Sequence, residues 1–527
     1  MRKLVTLFAA VLVAAAGIAQ AATPKDTVVM AKQIDDIISL DPAESFEFSG
    51  SEVVGNMYER LIDYDLKDVS KLKGQLAESW SVAADGKTYT FKMRKGIKFA
   101  SGNPVTAQDA AYSLQRAVIM NKTPGFILTQ FGLGKENAKE KIRAPDEQTL
   151  VVETGEQVAP TFFYYCLTAV IGGIVDMKTV QAHEKDGDFG NEWLKTNSAG
   201  SGPFKLVSWK ANDSYVLERN DNYHGTKALA RRVVVRHVAE PASQRLLLEK
   251  GDVDIARNLT KDQLDALRGN PSIELQEAPK GSILYIAMNQ KNPNLAKPAV
   301  REALKWLVDY DGIEKNILRG TFVVHQAFLP KGFLGALEDR PYKFDIERAK
   351  ELLTKAGLPN GFSVTMDVQN ISPYTDIAQA VQASFAKAGI KLELIPGDGK
   401  QVITKYRARQ HQIVILYWSP DYQDPHANAS TFARNPDKPG AEKASTLASR
   451  NNWFMPDLTK EAEDAVRERD PEKRMAMYID LQKKLQKDSP IINMFQAIEQ
   501  TVQRKNVTGY ISGPNPDTVF FRLITKT

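Results

Sequence analysis

The chain has 527 residues, 43% hydrophobic and 25% charged, which is ordinary globular usage and, by length, room for about three to four folding units. Two of the positive charges behind its formal +5 sit on Arg2 and Lys3, so the remainder is too weakly basic to argue for a nucleic-acid partner. A single cysteine excludes an internal disulfide, and neither a low-complexity tract nor a short repeat is present.

Residues 1–21 read as a secretory leader, with a basic start at Arg2 and Lys3, an apolar stretch from Leu4 to Ala16, and the small-residue cleavage site Ala19-Gln20-Ala21. The apolar run is shorter than the roughly 20 residues a membrane span needs, and no cysteine stands at the cleavage site to carry a lipid. The mature chain is therefore expected to start near Ala22 and to be exported as a soluble protein, to a periplasm.

A first strand is predicted over Thr27 to Lys32, then a turn at Ser39-Leu40-Asp41-Pro42 and a helical stretch from Val53 to Leu61. Phe46 and Phe48, on either side of Glu47, line a cleft or pack beneath a loop. Asp85-Gly86 marks a hairpin turn, after which Thr88 to Met93 alternates with Tyr89, Phe91 and Met93 on one face. Thr106 stands three residues before Asp109, a capping-box start for a helix with Leu114 and Val118 at core spacing. Gly200-Ser201-Gly202-Pro203 is a turn before a strand from Phe204 to Trp209; no Lys-Ser/Thr follows, so it is no phosphate loop. Pro298 to Asp309 forms a helix with Val300, Leu304 and Leu307 inward.

The second half alternates. A helix over 346–356, capped by Asp345 and closed by Gly357 and Pro359, leads to a strand at 363–368. A helix at 375–388, a strand at 390–395, a helical stretch at 400–408 and a strand at 413–418 follow. Such alternation predicts an α/β fold, with a parallel sheet and helices on its faces. Asp470-Pro471 caps a late helix with Tyr478, Leu481 and Leu485 on one side.

The stretch His411 to Asn428 concentrates candidate chemistry. Ile413 to Leu416 is a buried-strand run, ended by Tyr417 and Trp418, and Ser419-Pro420-Asp421 forces a turn at the sheet's end. Ligands of open α/β sheets collect at such ends. Asp424 before Pro425 reads as a helix cap. Asp421, flanked by Trp418 and Tyr422, has no such structural reason to be there; it either meets a ligand's ammonium group beside an aromatic wall or closes an Asx-turn. Catalytic and metal signatures are missing: no histidine pair has helix-borne metal spacing, no nucleophile elbow appears, and Cys166 sits among apolar neighbours. An enzyme is not expected, and neither is a cofactor or a metal.

Six motifs in order carry a resemblance. They are SLDPAESF at 39–46, AESWSVAADGKTYTFKMRKGIKFASGNPVTAQDAAYSLQR at 77–116, GSGPFKL at 200–206, MNQKNPNLAKPAVREALKWLVDYDGI at 288–313, FDIERAKELLTKAGLPNGF at 344–362 and HQIVILYWSPDYQDP at 411–425. Over essentially the whole mature chain the sequence resembles the family 5 extracellular solute-binding proteins of peptide-type ABC importers. The resemblance implies a two-lobed periplasmic-binding-protein fold (class II-like) with an extra subdomain inserted in the first lobe. Lobe I would take 22–280 and 497–527, with the insertion at about 55–195, and lobe II 281–496, with crossings near Pro279 to Ile283 and Ile491 to Gln500. It also implies a monomeric receptor that closes on a small molecule or short peptide and delivers it to an inner-membrane ABC permease, ATP being hydrolysed on separate subunits.

In peptide-binding members the aspartate of Trp-x-x-Asp holds the ligand's α-amino group, and Asp421 after Trp418 matches it. Tyr417, Ser419, Tyr422, Phe46 and Phe48 are expected around it. One departure stands out. Dipeptide-binding members place an arginine for the ligand carboxylate in Val-Gln-Arg-Pro-Tyr, whereas residues 368–374 read VQNISPY, where Asn370 or Ser372 offers only a neutral hydrogen bond. The ligand is then a longer peptide held by its backbone, or an amine-bearing metabolite such as an opine or polyamine. A secreted hydrolase, recognisable by turnover, and a scaffold protein without saturable ligand binding are the competing classes.

Overall fold

The computed structural model describes residues 23–65, 68–439, 444 and 446–527; the leader assigned to 1–21 lies outside them. Among the described residues the main sheet has eleven strands. In spatial order its path runs Lys391–Gly397, Ser363–Gln369, Ile413–Trp418, Ile273–Met288, Ile491–Arg504, Ile255–Ala256, Thr27–Lys32, Arg232–His237, Ser214–Arg219 and Phe204–Lys210. Phe322–Val324 pairs with Ile491–Arg504 off this path.

The alternating region folds as its pattern predicts, with helices at Ile346–Lys355, Tyr374–Ala386 and Gly399–Arg407. Its strands 363–369, 391–397 and 413–418 pair in parallel. The whole sheet is nevertheless mixed, because the long strand Ile273–Met288 runs antiparallel to both Ile413–Trp418 and Ile491–Arg504. These two long strands lie between the Ile413–Trp418 side of the sheet and the Ile255–Ala256 side. Their mutual pairing breaks register between Pro279 and Ile283, and an irregularity of that kind bends a ladder locally.

Each unit has its own apolar core. In one core, Val28 and Met30 of the first strand pack with Val53, Val54 and Met57. Around the strand Ile413–Trp418 the sheet is covered on both faces: Ile413 and Ile415 face one core and Val414 and Leu416 the other. That is why the run lacks alternation. The inserted unit holds the antiparallel sheet Ala77–Val82, Thr88–Met93, Thr149–Glu153 and Ile142–Asp146. Tyr89, Phe91 and Met93 are buried there as the alternation requires, and Thr106 and Asp109 form the capping box of the helix Ala107–Met120.

The helix expected over 53–61 occupies Phe48–Met57 instead. Its end is fixed by a distant contact. The Met57 carbonyl accepts the Gly202 N–H at 2.9 Å, and the turn Gly200-Ser201-Gly202 lies so close to Met57 and Tyr58 that a Cβ on either glycine would collide with backbone. Those glycines are there for close approach rather than for an unusual backbone angle.

Candidate ligand-binding site

Where Ile413–Trp418 leaves the sheet, Ser419 and Pro420 turn the chain and the Ser419 hydroxyl meets that of Ser282 on the neighbouring strand at 2.5 Å. This turn forms one wall of a cavity of about 790 Å³, inside the range of roughly 300–1,000 Å³ usual for small-molecule sites. The end of strand Ile413–Trp418 and the turn after it contribute Tyr417, Asp421 and Tyr422; the N-terminal region and residue 257 contribute Lys32, Phe46, Phe48, Glu52 and Arg257; the long strands add Lys280 and Glu499.

Residues 422–424 make four different connections. Tyr422 is buried against Phe162 of the inserted unit, ring centroids 5.8 Å apart. The Gln423 side-chain oxygen accepts from the Asn515 amide at 2.8 Å. Asp424 caps the next helix by accepting the His426 N–H at 2.8 Å, as its place before Pro425 predicts. It also receives both terminal nitrogens of Arg474, at 2.7 and 2.8 Å. Arg474 in turn reaches the Thr161 hydroxyl at 3.0 Å. Asp421 is the exception: among the described residues it has no hydrogen-bond donor and no cation. Burial pushes its carboxyl up to about 7, because nothing nearby compensates the desolvated charge.

Phe46, Phe48, Tyr417 and Tyr422 line the cavity. Phe46 lies edge-on to Phe126 at 6.1 Å, Phe48 is half exposed at the start of its helix, and Tyr417 stacks on Tyr374 at 6.2 Å. Two assignments are corrected. Trp418 is not on the cavity wall; its ring packs edge-to-face on Phe432 at 5.6 Å. Alternation along the strand explains this, since Tyr417 and Ser419 face the cavity and the residue between them points the other way. Asn370 is exposed and outside the cavity, its N–H donating to the Gly397 carbonyl at 2.9 Å. It follows a strand one place further from the sheet's centre than Ile413–Trp418. Ser372 bonds Asp376 at 2.6 Å, so neither residue takes the place of the missing arginine in this conformation.

A charged cluster also lines the cavity, and sequence patterning does not reveal it. Lys32 Nζ meets Glu52 at 2.6 Å; Arg257 bonds both Glu52 oxygens at 2.9 and 3.0 Å and reaches Glu499 at 2.5 Å; Lys280 meets Glu499 at 2.7 Å. Burial drives both carboxyls up, but the Arg257 charge with the nearby lysines more than offsets it and leaves Glu52 and Glu499 below the ordinary range. Burial likewise holds Lys280 below its usual value despite Glu499. These residues are scattered over 32, 52, 257, 280 and 499, with no spacing to announce them. Among the described residues no group of three or more His, Cys, Asp or Glu side chains could hold a metal ion, and Cys166 is buried.

Comparison with known proteins matches residues 71–440 to the family described as bacterial extracellular solute-binding proteins, family 5 middle region. The probable D,D-dipeptide-binding periplasmic protein DdpA of Escherichia coli K12 is 30% identical over 519 residues, covering 98% of this chain and 97% of its own. The glutathione-binding protein GsiB of Escherichia coli O6:K15:H31 is 27% identical, covering 92% and 91%. Among solved structures, the periplasmic binding protein DppA of Helicobacter pylori in complex with the peptide STSA superposes with a TM-score of 0.75 at 23% identity, over 95% of this chain and 98% of its own.

Proposed function

We propose a transport role, from the premise that the chain belongs to the bacterial extracellular solute-binding proteins of family 5. The exported chain, freed of its leader, acts in the periplasm as a monomeric receptor. It captures a short peptide or another amine-bearing solute between its lobes and delivers it to an inner-membrane ABC permease whose own subunits hydrolyse ATP.

One observation carries this reading: Asp421 lines the cavity between the two walls and, among the described residues, has no hydrogen-bond donor or cation of its own. An unpaired buried charge is costly, and a ligand ammonium removes that cost while gaining a charge-assisted hydrogen bond. The site therefore selects for an amine. The D,D-dipeptide and glutathione in the relatives' names both carry one. Closure brings Asp421, Tyr417 and Tyr422 over a solute resting on lobe I, about the crossings at 279–283 and 491–500. Contacts that exist only when closed shift the population toward that state.

A thermal-shift screen of peptides and amine metabolites, repeated on Asp421→Asn, tests the reading. Ligands that stabilise the native receptor are expected to lose their effect on the variant. Equal stabilisation of both would remove Asp421 from the site and the amine requirement with it.

A further inference from the structure

We propose that the buried cluster around Lys32 is a second subsite, which takes the ligand's carboxylate, so that the receptor selects zwitterions and divides their two charges between its lobes. This rests on the reading that Asp421 holds the amine.

The cluster sets three cations, Lys32, Arg257 and Lys280, against two carboxylates, Glu52 and Glu499. One positive charge is left over on a wall that lines the cavity. Donor counting places it. Lys280 Nζ has three hydrogens and three acceptors: Glu499, the Ser512 hydroxyl at 2.5 Å and the Gly513 carbonyl at 2.7 Å. Arg257 is engaged with both glutamates. Lys32, the last residue of the first strand, meets only Glu52 among the described residues. Its side chain is 10% exposed, so two N–H bonds of a nearly buried ammonium lack an acceptor, and an incoming anion supplies it.

The other acids on the cavity wall do not fill that role. Asp517 is paired with Arg60 at 2.6 Å. Asp36 accepts the Ser49 N–H at 2.9 Å, and Asp35 is exposed, with the Gln33 amide at 3.2 Å. Among the described residues, Lys32 is the cation of the cluster with donors to spare and Asp421 is the cavity-lining carboxylate with neither a donor nor a cation, whereas Asp36 and Asp35, also without a cation, are held by neutral donors. A solute with both an ammonium and a carboxylate neutralises Asp421 and Lys32. A diamine neutralises one and leaves Lys32 facing a like charge. The neutral VQNISPY segment then needs no charge, because the carboxylate contact has moved to the other lobe.

Calorimetry with the mature protein tests this, using random di- to tetrapeptide pools in three forms (free, C-terminally amidated and N-acetylated) with putrescine alongside. Free pools are expected to bind about tenfold or more tighter than amidated ones. The double variant Lys32→Met/Glu52→Gln, which removes one charge of each sign and leaves Arg257 with Glu499, should bind both alike while still rejecting N-acetylated peptides. Lys32→Arg should keep the preference. Equal affinity of the native receptor for free and amidated pools overturns the proposal, as does tighter binding of putrescine, full discrimination by the double variant, or no binding of free peptides at millimolar concentration. Equal binding of N-acetylated and free pools is a separate result: it overturns the role given to Asp421, and the amide comparison still reports on Lys32.

Discussion

Asp421 and Asp424 stand three residues apart on one turn and have opposite surroundings. Asp424 receives a guanidinium fork and a helix N–H. Asp421 receives nothing among the described residues, and its carboxyl is pushed up to about 7 by burial alone. The same residue type thus serves once as a structural tie and once, in the function proposed above, as a place for a ligand's amine. What separates the roles is the presence of Arg474, 50 positions along the chain. A buried acid supplied with a partner by its own fold reports on architecture; one left without reports on what the molecule binds.

The largest break in that comparison is Arg474→Met. It strands Asp424 and severs the link to Thr161 of the inserted unit, and losing one partner of a buried pair costs about 3–5 kcal/mol. Denaturant unfolding of the unliganded protein should show that loss. Asp421→Asn should do the opposite to stability while weakening ligand binding by about 2–4 kcal/mol, roughly 30- to 1,000-fold. The folded-state carboxyl lies above its unfolded value of 3.8. Its contribution to stability is therefore fully present below about pH 4 and is lost as pH rises through about 7. The variant's melting temperature should exceed that of the native receptor at pH 8, and the gap should close on acidification toward pH 4.

The same carboxyl sets how affinity depends on pH. Binding an ammonium needs the ionised acid, so affinity for a peptide should fall below about pH 7, approaching about tenfold per unit at the limit. It should fall again above about pH 8 as the peptide's own α-amino group deprotonates. Titration calorimetry across pH 5–9 should trace a bell whose acid limb disappears in Asp421→Asn. A flat acid limb in the native receptor would mean that Asp421 is not the group meeting the amine.

Much of the scaffold is legible in the sequence because its signals are local. The strand Thr27–Lys32, the capping box at Thr106 and the strand-helix alternation from 346 to 418 each depend on neighbours a few residues away. The site is only half legible for the same reason. Asp421 and its turn are contiguous and could be found, whereas the Lys32 cluster is assembled from five distant positions and has no one-dimensional pattern. The helix ends at Met57 rather than at Leu61 on similar grounds, since a glycine turn near residue 200 fixes its end. The pairing of Arg474 with Asp424 depends on how two elements pack, and nothing local in the sequence announces it.

The smallest expected effect separates neighbours within the strand end itself. Motif position alone makes Trp418 the aromatic beside the ligand, but the period of two along a strand gives that place to Tyr417 and sends Trp418 toward Phe432. Trp418→Phe should therefore lower stability by about 1–2 kcal/mol, through a packing defect, and leave ligand affinity within about twofold. Tyr417→Ala removes a half-exposed ring that stacks on Tyr374. It should cost little in stability and about 1 kcal/mol in binding. Measuring melting temperature and affinity on both variants decides between motif and geometry: if Trp418→Phe weakens binding more than Tyr417→Ala, the indole faces the solute and the alternation argument fails at the residue where the strand ends.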